Sequence, residues 1–403
     1  MSLPFDGLRV LEYSSFIAGP YCAKLLADMG ALVTKVEMPG QGDTARSYGP
    51  FPGDVPDREK SGLFFFLGTN KRSVTLDPAS LTGRELFLRL ASNTDVLVED
   101  SGPAAMQELG LDYQSLKTIN PGLVYVSITP YGQDGPKSHW KASHINSFHA
   151  SGEGYTLPGG VSHALFPERG PVAAGVHLGE YDSGLLAASG AVAALYAREL
   201  QGCGQLVDIS KQEATLAMNR LGLAQFTGQG RHLDRSRHYE YGGIYPCQDG
   251  YILLYPREDH QWQALATIMG GPQLAEDERF RTRAQRIENG PEVNRIIGEW
   301  SANFTKQDIY DRVAPSGCPT GYFATAHDLV ESPQAQAREF FRQVDHPKAG
   351  AFQVPGPPYK MSGASQLPLA PAPLLGQHND EVFCGELGVD KKELPGLRRS
   401  GVI

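Results

Sequence analysis

Leu8-Arg9-Val10-Leu11-Glu12-Tyr13 alternates like a strand, Gly19 to Met29 (GPYCAKLLADM) carries apolar residues at helical spacing, and Leu32-Val33-Thr34-Lys35-Val36-Glu37 alternates again. Together these three segments are a βαβ unit. The rhythm continues with a strand over Arg72 to Leu76, a helix over Gly83 to Ser92, a strand over Asp95 to Glu99, a helix near Ala104 to Leu109 and a strand over Val124 to Ile128. Strands alternating with helices predict a parallel, doubly wound sheet. The first βα turn, Ser14-Ser15-Phe16-Ile17-Ala18-Gly19-Pro20, holds no GxGxxG, so a nicotinamide cofactor is not expected.

Further along, Tyr181 to Leu200 (YDSGLLAASGAVAALYAREL) reads as a helix crowded with Ala, Gly and Ser, which suits close burial against neighbours. Gly202 and Gly204 end it, and Gln205 to Ser210 resumes as a strand. Near Phe226 the texture changes: Arg and His cluster in Arg231 to His238, a short strand follows at Tyr251 to Tyr255, and Arg/Glu-rich helices run to about Arg312. The tail from Gln343 is rich in Pro and Gly and is expected to form an extended strap rather than a packed unit. The expected organisation is a large domain over 1–225, a small α+β domain over 226–330, and a return segment over 331–403 that completes the large domain.

Length and composition narrow the function. The 403 residues are enough for two or three domains with real cores. Lys+Arg 36 against Asp+Glu 45 leaves a net charge of −9, so the basic excess of a nucleic-acid binder is missing. Five scattered cysteines with no CxxC argue against a disulfide framework and a zinc site and fit a reducing cytoplasm. There is no HExxH, and no metal is expected. Neither an export leader nor a membrane-spanning run is expected either.

Several blocks stand in register with one family: Arg9-Val10-Leu11 with Ala18-Gly19-Pro20, Leu26 to Ala31, Lys35-Val36-Glu37, Asn70 to Asp77, Asp95 to Glu99, Tyr131 to Pro136, Gly204-Gln205 with Val207-Asp208, and Gly376 to Val382. In that order the chain resembles the class III CoA-transferases, the superfamily of formyl-CoA transferase, carnitinyl-CoA transferase and α-methylacyl-CoA racemase. The resemblance implies a Rossmann-like large domain built from both chain ends, a smaller middle domain, and a homodimer of two interlocked rings. It also implies exchange of coenzyme A between carboxylic acids. CoA thioester and acceptor acid would then be substrates, with no tightly bound cofactor.

The family nucleophile is an Asp directly after a Gly at the entry to an Ala-rich helix. Here Gly179-Glu180-Tyr181-Asp182-Ser183-Gly184 puts Glu180 at that position, with Asp182 as second choice. An ionised carboxylate there would attack the thioester carbonyl to give a mixed anhydride, and the helix N-terminus and its free amides would hold the charge and cradle the oxyanion. Without the resemblance, Glu180 reads as an acidic residue that merely stabilises a helix start. Candidate CoA contacts are Ile17, Ala18 and Gly19 in the first βα turn, Lys71 and Arg72, and Asp100; the plain reading of Lys71-Arg72 is an exposed basic pair ahead of a strand. His144, Ile145, Tyr181 and Gly242 are candidate pocket residues. Several positions depart from the formyl-CoA transferase pattern. Ile17 and Ile145 replace its glutamine and glutamate, Met38 and Asp100 replace an Arg and an Asn, and no glycine stands in Ser236 to Tyr239, where its glycine-rich lid would fall. The racemase His falls on Ser143, one residue before His144, so a racemase or isomerase is the alternative within the family. A non-catalytic acyl-CoA-binding subunit of a heteromeric transferase is the alternative outside enzymes.

Overall fold

The computed structural model describes residues 3–159, 166–218, 220–235, 240–364 and 369–403; the Ser236 to Tyr239 segment lies outside them. The chain forms two compact units. One takes Met1–Leu157, Pro171–Leu233 and Ala337–Ile403, the other Pro158–Gly170 and Asp234–Gln336.

The first unit is an α/β body around one parallel sheet. Its elements run β1 (Arg9–Tyr13), α1 (Ala18–Ala27), β2 (Leu32–Glu37), α2 (Gly62–Leu67), β3 (Lys71–Thr75), α3 (Leu81–Ala91), β4 (Val96–Glu99), α4 (Pro103–Leu109), α5 (Tyr113–Ile119), β5 (Val124–Thr129), α6 (His144–Ala150), α7 (Leu178–Gln201), β6 (Leu206–Ser210), α8 (Lys211–Leu216) and α9 (Arg220–Gln229). The sheet order is β3-β2-β1-β4-β5-β6, and every pairing is parallel, with Val10 level with Val33 on one side and Val96 on the other. Chain direction across the sheet reverses between β1 and β4. In open α/β sheets that switch point, at the carboxyl ends of the strands, is where ligands bind.

Both sheet faces are covered, which is why β5 is buried at every position. On one face α1 and α7 bring Ala18, Cys22, Leu26, Ala187, Ala191 and Ala194 onto Val10, Val96 and Val126. The small residues of α7 let the two helices touch at the backbone: a Cβ at Gly184 would stand 2.6 Å from the Ala18 carbonyl. On the other face α3 and α4 are joined by the end of the chain, with Val382, Phe383, Leu394 and Ile403 in the core beside Leu86, Phe87 and Leu97.

That packing corrects the expectation of a plain strap. After an antiparallel hairpin (Phe341–His346 with Gly350–Pro355), the last residues supply core that the sheet lacks otherwise. Proline-rich composition masked these apolar side chains. Two further differences are local. Helix α7 begins three residues earlier than Tyr181, which brings Glu180 into its first turn. Helix α5 was not expected; the Asp112 side chain starts it by accepting from the amides of Gln114 and Ser115.

The second unit holds a three-stranded antiparallel sheet of β7 (Gly243–Cys247), β8 (Gly250–Leu254) and β9 (Thr320–Tyr322). Its core gathers Ile252, Trp262, Leu265, Phe280, Val293, Ile297 and Ile309 from the sheet and its helices. Gly242 has φ +78 in the turn into β7, and its amide donates to Asn294 Oδ1 at 3.0 Å. Among the described residues no helix is long and apolar enough to cross a membrane, and no group of three His, Cys, Asp or Glu side chains could hold a metal ion.

Candidate active site

Glu180 lies in the first turn of α7 and is almost wholly buried. Its Oε2 accepts a hydrogen bond from Lys211 Nζ at 2.7 Å, an ion pair whose two side chains are 4% and 16% exposed. Lys211 opens α8 immediately after the edge strand β6, and the Ser210 hydroxyl caps that helix by accepting from the Glu213 amide. The edge strand therefore delivers a cation to the start of α7. A carboxylate this buried would be expensive to ionise alone, and the ion pair offsets that cost.

Gly179 explains why a small residue precedes the carboxylate. Its amide donates to His144 Nε2 at 3.2 Å, and a Cβ there would stand 2.8 Å from Thr215 Oγ1. That bond assigns the proton of the neutral His144 ring to Nδ1. Burial lowers the His144 pKa, although Glu180 works against the shift. The Glu180 amide is also engaged, donating to the His177 carbonyl at 2.9 Å. The expected cradle of free amides is thus absent at Gly179 and Glu180, because the tight start of α7 uses both.

His177 precedes the helix with φ 56, and Val176 before it has φ 56 as well. Left-handed backbone at two successive side-chain-bearing residues, one of them β-branched, costs on the order of 1–3 kcal/mol each. The bend aims the His177 ring at His144 (centroids 5.2 Å apart), Phe16 (5.0 Å) and Tyr48 (6.4 Å). His177 and Tyr181 also line a cavity of about 590 Å³ together with Ile17, Tyr48, Leu63, Phe65, Phe66 and Phe352. Tyr181 packs edge-on against Tyr21 at 5.0 Å. His177 and Tyr181, which bracket Leu178-Gly179-Glu180 in the chain, thus both line an aromatic pocket.

A smaller cavity of about 140 Å³ opens at the switch point, lined by Tyr13, Ser14, Ser15, Met38, Asp43 and Asp100 among others. Asp100 accepts the Ser15 amide at both carboxylate oxygens, 3.0 and 3.1 Å. Burial pushes its carboxyl up to about 7, although Lys211 and the Ser15 amide pull the other way. Ala18 and Gly19 are buried in the first turn of α1, just past Ser15.

Lys71 is inside the sheet rather than on the surface. Its ammonium donates to Glu12 Oε2 and to the Pro20 carbonyl, both at 2.7 Å, and burial pushes it down to about 8. Arg72 is occupied by Glu381, Glu386 and Thr34. Neither side chain is offered to a phosphate, and neither forms the exposed pair of the plain reading, because both belong to β3 itself. Asp182 is partly buried, among the described residues no cation is paired with it, and burial raises its pKa. Ile145 is exposed on α6. Gly242 belongs to the second unit.

Sequence reasoning missed Lys211 and His177. Lys211 is thirty-one positions from its partner and carried no motif. His177 stands out only through its backbone.

These features define an α/β protein with an acidic residue poised on an Ala-rich helix beside the sheet's carboxyl edge. A model of CoA-transferase family III matches residues 5–379. The chain is 33% identical to the formyl-CoA:oxalate CoA-transferase of Streptomyces coelicolor, covering 99% of this chain and 98% of that protein. It is also 33% identical to the succinyl-CoA–D-citramalate CoA-transferase of Chloroflexus aurantiacus, with 99% and 98% covered. The crystal structure of a CAIB/BAIF family protein from Brucella suis superposes with a TM-score of 0.83 at 29% identity, over 96% of this chain and all of that one. The chain belongs to CoA-transferase family III, the class III acyl-CoA:carboxylate CoA-transferases.

Proposed function

We propose that this enzyme moves coenzyme A from a donor thioester to an acceptor carboxylate through an anhydride on Glu180. A Glu180 oxygen attacks the thioester carbonyl, the C–S bond breaks, and CoA leaves as thiolate. The acceptor carboxylate then attacks the Glu180 acyl carbon of the anhydride, the bond to the donor carboxylate breaks, and the donor acid leaves while Glu180 and the acceptor share a new anhydride. CoA thiolate closes the cycle by attacking the activated acceptor. The observation that carries this reading is the 2.7 Å Lys211–Glu180 pair. It keeps an anionic oxygen at a buried position and leaves Oε1 outside the ion pair. With the Gly179 and Glu180 amides engaged, Lys211 is also the charge available to an oxyanion forming there.

In this reading the switch-point cavity, with Asp100 and the Ile17-Ala18-Gly19 turn, receives part of the CoA. His144 serves as a positioning residue: its Nε2 lone pair is used by the Gly179 amide, so it does not suit a racemase base. Two copies interlock as a homodimer. Leu185, Val192, Tyr196 and Leu200 support this, because they form an exposed apolar stripe along α7 that asks for a cover.

The assay is CoA transfer by Glu180→Gln and Asp182→Asn proteins. Glu180→Gln loses nearly all transfer and Asp182→Asn retains it. The reverse pattern moves the nucleophile two residues along, and no effect of either removes this mechanism; absence of transfer by the unsubstituted protein would favour a non-catalytic subunit. Sedimentation at low micromolar concentration reads the assembly: a dimer is expected, and a monomer contradicts it.

A further inference from the structure

Resting on that reading, we infer that the acyl group handled at Glu180 is apolar, an aryl or medium-chain aliphatic acid rather than a small dicarboxylate. The cavity lined by His177 and by Tyr181, the chain neighbour of Glu180, has a volume of about 590 Å³, within the range of pockets that enclose a drug-sized ligand. No Lys, Arg, Asp or Glu is among the described residues that line it. A second carboxylate on the substrate would have to be buried against Leu63, Phe65, Phe66 and Phe352 without a cation. A buried charge is tolerated only when paired.

Three features favour an acyl chain as the occupant. The cavity is lined by His177 and Tyr181, which bracket Glu180 at the start of α7, so it is the described apolar space next to the nucleophile in the chain. Its walls are aromatic rings, which suit an aryl or alkyl body by edge and face contact. Among its polar lining side chains, Tyr48, His177, Tyr181 and Gln353, none is an acid, a lysine or an arginine, and His177 is placed by strained backbone. Ile17, buried in the cavity wall, adds hydrocarbon to the same lining.

The test is a panel of phenylacetyl-, hexanoyl-, butyryl-, succinyl- and oxalyl-CoA, each assayed for transfer to its own class of acid and for direct binding by calorimetry. The expected result is a kcat/KM at least tenfold higher for phenylacetyl- and hexanoyl-CoA than for succinyl- or oxalyl-CoA, with a gain of roughly fourfold per methylene from butyryl to hexanoyl. Leu63→Arg places a cation in the wall and should shift the ratio toward succinyl-CoA by at least tenfold. The milder Phe66→Ala should lower the phenylacetyl-to-succinyl ratio of kcat/KM by at least threefold, which keeps the test valid if the arginine protein does not fold, and an unchanged ratio would count against the inference. Transfer that favours the dicarboxylates overturns this inference and leaves the transferase reading standing. If no thioester turns over, the transferase reading fails; phenylacetyl-CoA binding at least tenfold tighter than succinyl-CoA would still support the apolar site, and equal affinities would overturn it.

Discussion

Two acids at the sheet's carboxyl edge, Glu180 and Asp100, share one neighbour and meet opposite treatment. Glu180 has the Lys211 ammonium at 2.7 Å. Asp100 feels the same lysine only at longer range, accepts a single backbone amide, and is pushed up to about 7 by burial. A carboxylate with a contact cation is ready to act as a nucleophile, whereas one with only an amide holds its proton near neutrality. The position of one lysine at the end of β6 therefore separates an acid with a contact cation, the proposed nucleophile, from one that burial pushes up to about 7.

Removing the lysine gives the largest effect. Lys211→Met should lower kcat/KM for transfer by about 10²–10³-fold, the range found when a charge-stabilising donor is lost. Lys211→Arg, which keeps a cation beside Glu180, should recover at least tenfold of that loss. A loss below about threefold would mean that the ion pair is structural.

Asp100→Asn tests the other side of the comparison with a smaller effect. The folded protein holds the Asp100 proton up to about 7, while an unfolded Asp releases it near its ordinary value of 3.8. Between those values the folded state binds the extra proton, so the contribution of Asp100 to stability falls as pH rises, and the cost is complete above 7. Asp100→Asn should raise the thermal midpoint by about 2–4 °C at pH 8, and by less at pH 5. An equal shift at both pH values would show that Asp100 does not titrate in that window.

The sheet was legible because each strand carries its own signal. Residues such as Val96-Leu97-Val98 and Val124 to Ile128 are apolar in short runs bounded by turns, and the doubly wound reading follows from their alternation with helices. The Glu180 position was legible through a motif and not through chemistry. What the sequence could not reveal depends on distant pairings. Lys71 looks like a surface base until Glu12, fifty-nine positions earlier, is found beside it in the core. Lys211 meets Glu180 only because it follows β6, the strand at the edge of the sheet, at the end nearest the start of α7. The core role of Val382, Phe383 and Ile403 was hidden by the prolines before them.

The central claim is that Glu180 becomes covalently acylated. Hydroxylamine added during turnover with a donor thioester should convert the activated side chain to a hydroxamate, read as a mass increase of about 15 Da on the peptide carrying Glu180. The account predicts that mark on Glu180 alone, dependent on the thioester and absent in Glu180→Gln. An unmodified Glu180 in an actively transferring enzyme, or a hydroxamate on Asp182 instead, would contradict it.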